Sequence, residues 1–153
     1  MRIGENDELQ RLAMLMEPQP GDPHEAEGVM NPAAARGPDG KYLFRRLVAR
    51  GNYSRIGIAR VRFNEAGDPE GVERLGIALE PETDYECGID GRGGCEDPRV
   101  TFVEPLQRYL YDLYGAHAAR AAHSRGILDG PFSLEEARAC PLCSVSGLGS
   151  QQR

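Results

Sequence analysis

Gly51-Asn52-Tyr53-Ser54-Arg55-Ile56-Gly57-Ile58-Ala59-Arg60-Val61-Arg62-Phe63 is the stretch that sets the architecture. Gly51-Asn52 is a turn signal, and Ile56 to Phe63 alternates partially between apolar and polar residues, as a strand does. Working backwards, Tyr42-Leu43-Phe44 and Leu47-Val48-Ala49 precede that turn, the turn signal Pro38-Asp39-Gly40 precedes them, and Val29 to Ala34 forms a short apolar run. Working forwards, Glu65-Ala66-Gly67-Asp68-Pro69 turns the chain before Val72 to Leu79. Four short strands joined by tight turns predict an antiparallel meander, the unit from which a propeller blade is built. A small sandwich would read the same way, and no internal repeat is visible by eye. The fold class expected is all-β.

Composition agrees. The chain has 153 residues, room for one domain, and only 40% of them are hydrophobic, so the core is modest. Nineteen glycines and eleven prolines are about a fifth of the chain, which suits turns and short strands better than long helices. The net charge is -6 with Lys and Arg scattered, so a nucleic-acid partner, which needs clustered cations, is not expected. No apolar run approaches the roughly 20 residues that span a bilayer, and the N-terminus lacks a signal-peptide core. No membrane partner and a cytoplasmic location are therefore expected.

Residues 1–28 are polar and acidic, with one helical candidate through Leu9, Leu12, Ala13 and Met16 before Pro18, Pro20 and Pro23; they read as a lead-in. Residues 29–110 form the β domain, with an acid- and glycine-rich loop from Pro81 to Gly94 and an apolar strand from Val100 to Val103. Residues 111–153 read as an irregular tail: Ala116 to Ala122 is rich in Ala and Arg, Ser133 to Ala139 suits a capped helical turn, and Ser144 to Arg153 reads as disordered. Cys140 and Cys143 have the spacing of half a zinc site, but Cys87 and Cys95 are too far apart to complete it, so no metal is expected.

Gly93-Gly94-Cys95-Glu96-Asp97-Pro98-Arg99-Val100 carries most of the chemistry. The glycines permit positive φ or close backbone approach. Pro98 biases Asp97 towards extended backbone, at the entry to the next strand. Two acids beside an arginine can keep one carboxyl protonated and the other ionised. Taken alone, the run reads more readily as an acid-Pro-Arg turn with a surface ion pair.

The succession Gly28-Val29-Met30-Asn31-Pro32-Ala33-Ala34, Tyr42 to Val48, Tyr53 to Ala59 and Gly94 to Arg99 resembles glycoside hydrolase family 130, the β-mannoside phosphorylases and relatives. That family carries an Asn-Pro-Ala turn, a strand ending in arginine, a Ser-x-Ile-Gly strand and a Glu-Asp-Pro-Arg turn. The resemblance covers about residues 8 to 110. It implies a five-bladed β-propeller, about two blades of which this chain would supply, with the site in the central funnel. It implies inverting phosphorolysis of β-mannosides, with hydrolysis in some members. Asp97 would be the general acid, protonating the leaving oxygen through a hydroxyl of the bound mannose. Phosphate is already an anionic nucleophile, so no carboxylate base is required.

By the same resemblance Asn31 and Arg46 would contact the mannosyl unit; from position alone they are equally a turn asparagine and a strand-end arginine facing solvent. Glu96 and Arg99 join them as substrate-site residues, and Arg99 is placed to hold either carboxylate. Ser54 reads as turn support. No cofactor is implied beyond inorganic phosphate as co-substrate, the partner is a β-mannoside oligosaccharide, and a homo-oligomer stays open. A non-catalytic carbohydrate-binding or interaction module and a β-mannoside hydrolase are the alternatives.

After Tyr109 the resemblance stops. Tyr111 to His123 can be back-translated so that reading one base later gives Met-Thr-Tyr-Thr-Ala-His-Thr-Pro-Arg-Gly-Pro-His, the continuation usual in the family. A reading-frame shift near Tyr109 or Leu110 is therefore expected to have produced residues 111–153. The phosphate-binding cations of the family come later than the matched run, so the chain is expected to be an incomplete, inactive enzyme.

Overall fold

A computed structural model describes residues 13–37, 39–82, 86, 92–117 and 120–128. The described residues are all-β and form one open mixed sheet of seven strands. β1 (Gly28–Gly37), β2 (Gly40–Ala49), β3 (Tyr53–Phe63) and β4 (Pro69–Leu79) form the expected antiparallel meander. The turns lie where Gly40, Gly51-Asn52 and Gly67-Asp68 signalled them. β5 (Gly93–Val103), β6 (Arg108–His117) and β7 (Arg120–Leu128) form a second antiparallel run. The two runs join by two parallel pairs, Tyr53↔Gly93 and Ser54↔Gly94, so β5 takes up the edge of β3 where β4 leaves it.

The second run repeats the first, register for register. Gly28↔Val48, Met30↔Arg46 and Ala33↔Phe44 on β1 and β2 correspond to Gly94↔Ala116, Glu96↔Tyr114 and Arg99↔Asp112 on β5 and β6. Each first strand slips by one residue at an Asx-Pro pair: Asn31-Pro32 opposes Arg45 alone, and Asp97-Pro98 opposes Leu113 alone. Such a bulge bends its strand and re-aims the side chains at the kink. Asn31 (φ 46°) and Asp97 (φ 45°) both take left-handed backbone there. Pro98 therefore does not hold Asp97 extended at a strand entry; Glu96 to Arg99 is a kink inside β5, and the bulge overrides the preference that a following proline imposes.

The core draws on both runs of strands. Phe44 and Tyr42 of β2, Ile56 and Ile58 of β3, Ala33 and Ala35 of β1 and Ala78 of β4 pack with Cys95 of β5 and with Tyr111 and Leu113 of β6. Regular structure, expected to stop at Leu110, continues through β6 and β7, and two residues assigned to an irregular tail are core. Tyr109, Tyr111 and Leu113 share one face of a strand, the simplest period-two signal. The candidate helix at Ser133–Ala139, and Cys87, Cys140 and Cys143, lie outside the described residues, as does most of the Leu9–Met16 candidate; Ala13 to Met16 have no regular structure.

On the opposite face of the first run, residues 13–27 are tied down by charge. Glu25, in the 3₁₀ turn Pro23–Glu25, is 1% exposed and receives a two-pronged pair from Arg74, Nε to Oε1 at 3.1 Å and Nη2 to Oε2 at 3.0 Å. Arg45 of β2, also buried, lies 3.5 Å from Oε1. The Gln19 amide donates to Oε2, and Arg74 also donates to the Glu17 carbonyl. No helix among the described residues is long and apolar enough to cross a membrane.

Candidate functional site

The two bulges face each other. Because each re-aims its Asx side chain out of the pleat, Asn31 Nδ2 donates to Asp97 Oδ1 at 2.6 Å, although 66 positions separate them. Arg46 enters from β2, on the face shared by Phe44 and Val48. Its Nη2 donates to Glu96 Oε1 at 2.7 Å and its Nη1 lies 3.8 Å from Asp97 Oδ1. The guanidinium is fixed from behind: Nε donates to Ser54 Oγ at 2.9 Å and Nη2 to Asn52 Oδ1 at 3.2 Å. Ser54 is fully buried on β3, and Asn52 sits in the preceding turn at φ 60°.

Of the residues expected at the site, the fold thus brings Asn31, Arg46, Glu96 and Asp97 into one cluster. Arg99 stands apart from both carboxylates. Its Nη1 donates to the backbone carbonyls of Asp97 (3.3 Å) and Pro98 (3.0 Å), and the rest of its head is exposed. Asn31 is not a free turn residue, since it orients Asp97. Ser54, read from the sequence as turn support, and Asn52, which the sequence did not single out, are positioning residues for Arg46. The Ser-x-Ile-Gly pattern hinted at Ser54; nothing but the turn hinted at Asn52.

The two carboxylates differ in setting. The Glu96 side chain is 11% exposed, and burial pushes its carboxyl above the usual range; the Arg46 charge pulls it back and the Asp97 charge adds to the rise. The Asp97 side chain is 41% exposed, with both close contacts on Oδ1. Two acids therefore share one guanidinium. An acid whose folded-state pKa is raised binds more protons folded than unfolded, so Glu96 lowers stability as pH rises through the carboxylate range. Replacing Arg46 with Gln is expected to move the Glu96 titration upward, and Asp97→Asn to move it down, as read by carboxyl carbon chemical shifts against pH. A Glu96 midpoint that ignores both changes would show that the cluster is not electrostatically coupled.

Beside the cluster an open groove of about 510 Å³ runs between β1 and β5, lined by Asn31 to Ala34 and Pro98 to Thr101. Among the described residues no group of three or more His, Cys, Asp or Glu side chains is placed to hold a metal. Compared with known proteins, this chain matches no family model, no curated protein and no solved structure.

Proposed function

We propose that the cluster is the sugar-binding half of a β-mannoside phosphorylase site of the glycoside hydrolase family 130 type, carried on the first two blade-like units of a five-bladed propeller. One observation carries the reading. Asn31, Arg46, Glu96 and Asp97 come from three separate sequence motifs and converge within hydrogen-bond reach at one kinked junction. A turn with a surface ion pair would need no such convergence. The repeated register of β1–β3 and β5–β7 supports the propeller, because blades are copies of one meander placed side by side.

In this assignment Asp97 is the general acid. Its Oδ1 is held by Asn31 and its Oδ2 is free to address a sugar hydroxyl. Inversion with phosphate as nucleophile asks for one carboxylic acid and no water-activating base. Arg46 would hold the mannosyl hydroxyls, with Glu96 keeping the guanidinium in the cleft. The family's phosphate-binding cations have no counterpart among the matched residues, so binding is expected without phosphorolysis.

The test is a titration of the chain with β-linked mannobiose, followed by NMR, alongside incubation with phosphate. Expected are saturable binding in the millimolar range or tighter, a loss of at least about tenfold in Arg46→Ala, equivalent to about 1.4 kcal/mol, and no mannose 1-phosphate. Lack of saturable binding would sink the sugar-site assignment. Release of mannose 1-phosphate would keep it and overturn the incompleteness.

A further inference from the structure

The groove between β1 and β5 opens directly from the cluster, with Asn31 bordering both. Pro32 and Ala34 give it an apolar wall, and Thr101 an exposed hydroxyl. Its one charged lining residue is Arg99, and no acid lines it. The groove's own lining is thus positive, beside the acidic Glu96 and Asp97 of the cluster. Among the described residues Arg45, Arg46, Arg55, Arg60 and Arg74 have carboxylate partners, and Arg99 is one of the arginines that do not. Arg99 has none: Asp112 is its cross-strand neighbour, yet no ion pair joins them. The two carbonyls that hold Nη1 fix the orientation of the guanidinium and leave its Nε and Nη2 donors uncommitted.

We propose that this groove is a subsite for an anionic group lying next to the sugar held at the cluster, with Arg99 as the residue that selects it. This rests on the sugar-site reading above and adds a substrate class to it: a β-mannoside whose neighbouring unit bears a carboxylate or phosphate. A planar guanidinium with a free two-donor edge matches either oxyanion. The flat apolar wall accommodates the ring that carries the charge. The same donors could take a free oxyanion instead of one attached to a sugar, and the test separates the two.

The experiment compares three ligands on the whole chain at low salt: neutral β-mannobiose, a β-mannosyl uronic acid disaccharide, and inorganic phosphate with mannose. The acidic disaccharide is expected to bind about tenfold more tightly than the neutral one. Arg99→Gln should bring the two disaccharides to within about twofold of each other, and Arg99→Lys should restore part of the preference. Added salt should narrow the gap. Equal affinity for the two disaccharides, or a preference that survives Arg99→Gln, overturns the subsite while the sugar site stands. If mannose binding is enhanced by phosphate as strongly as by an attached carboxylate, the anion is a free one and the sugar-borne class is wrong. If no ligand binds, both the subsite and the sugar site fall.

Discussion

Gly94→Ala is expected to unfold the chain or leave it largely insoluble. A Cβ at Gly94 would lie 2.1 Å from the Ser54 carbonyl oxygen and 2.7 Å from the Ser54 nitrogen. Those are backbone atoms of β3, so no side-chain rotation relieves the overlap. The residue also sits at φ 117°, which side-chain-bearing residues rarely adopt. Backbone strain of this kind costs about 1–3 kcal/mol, and forcing atoms into packed structure costs a similar amount again. The sum is a large part of the roughly 5–15 kcal/mol that holds a typical domain together. The position matters because Ser54↔Gly94 is one of the two parallel pairs joining the two runs of strands. Gly51→Ala is the matched control: φ there is 80° with no atom within 4 Å of the added carbon, so only about 1 kcal/mol of backbone cost is expected. Urea unfolding followed by far-UV circular dichroism would rank the two. Similar midpoints for both variants would mean that the β3–β5 contact is looser than the geometry requires.

The contrast between these glycines shows which part of the fold was legible in the chain. The meander was, because Ile56 to Phe63, Tyr42 to Phe44 and Val72 to Leu79 carry local strand patterns and the turns between them carry Gly, Asn and Asp. A glycine in a turn signals itself by composition. Gly94 does not, because its need for a missing side chain comes from Ser54, 40 positions earlier in the chain. The repeat is hidden in the sequence for a related reason. Asn31-Pro32 and Asp97-Pro98 are two-residue matches in runs that otherwise differ, and only the pairing register reveals that they occupy equivalent kinks. The motifs contain the four residues that cluster, yet not their arrangement: a preference of residues before proline for extended backbone points Asp97 the wrong way. The β region runs past the end of the resemblance at Tyr109, and the local signal for this is the alternation of Tyr109, Tyr111 and Leu113.

Glu25→Ala is expected to cost about 3–5 kcal/mol, because removing one member of a buried ion pair strands the other. The member stranded is Arg45, whose side chain is 3% exposed and whose Nε and Nη1 have no hydrogen-bond partner even with Glu25 in place. Burial already pulls the Arg45 pKa down, and Glu25 is the charge that opposes it. Arg74, 30% exposed, can turn to water when Glu25 is lost, so its own stranding adds little to that cost. Exchanging both buried charges for apolar side chains, Glu25→Leu with Arg45→Met, should recover most of the Glu25→Ala loss, since a packed apolar pair avoids the desolvation of two ions. The same pair sets a pH dependence. Burial raises the Glu25 pKa, but the Arg74 hydrogen bond, the Gln19 amide and the charges of Arg74 and Arg45 outweigh it, leaving the carboxyl below its ordinary value. A depressed folded-state pKa means that the unfolded chain binds the proton first, so the Glu25 contribution is complete above the ordinary glutamate range, near pH 4.3, and drains away as pH falls towards the folded value. Glu96 has the opposite sign, its carboxyl being raised by burial. The wild-type chain should therefore lose stability on acidification more steeply than Glu25→Gln, and less steeply than Glu96→Gln, in urea titrations taken at successive pH values. Parallel pH profiles for wild type and Glu25→Gln would show that residues 13–27 are held to the sheet by something other than this carboxylate.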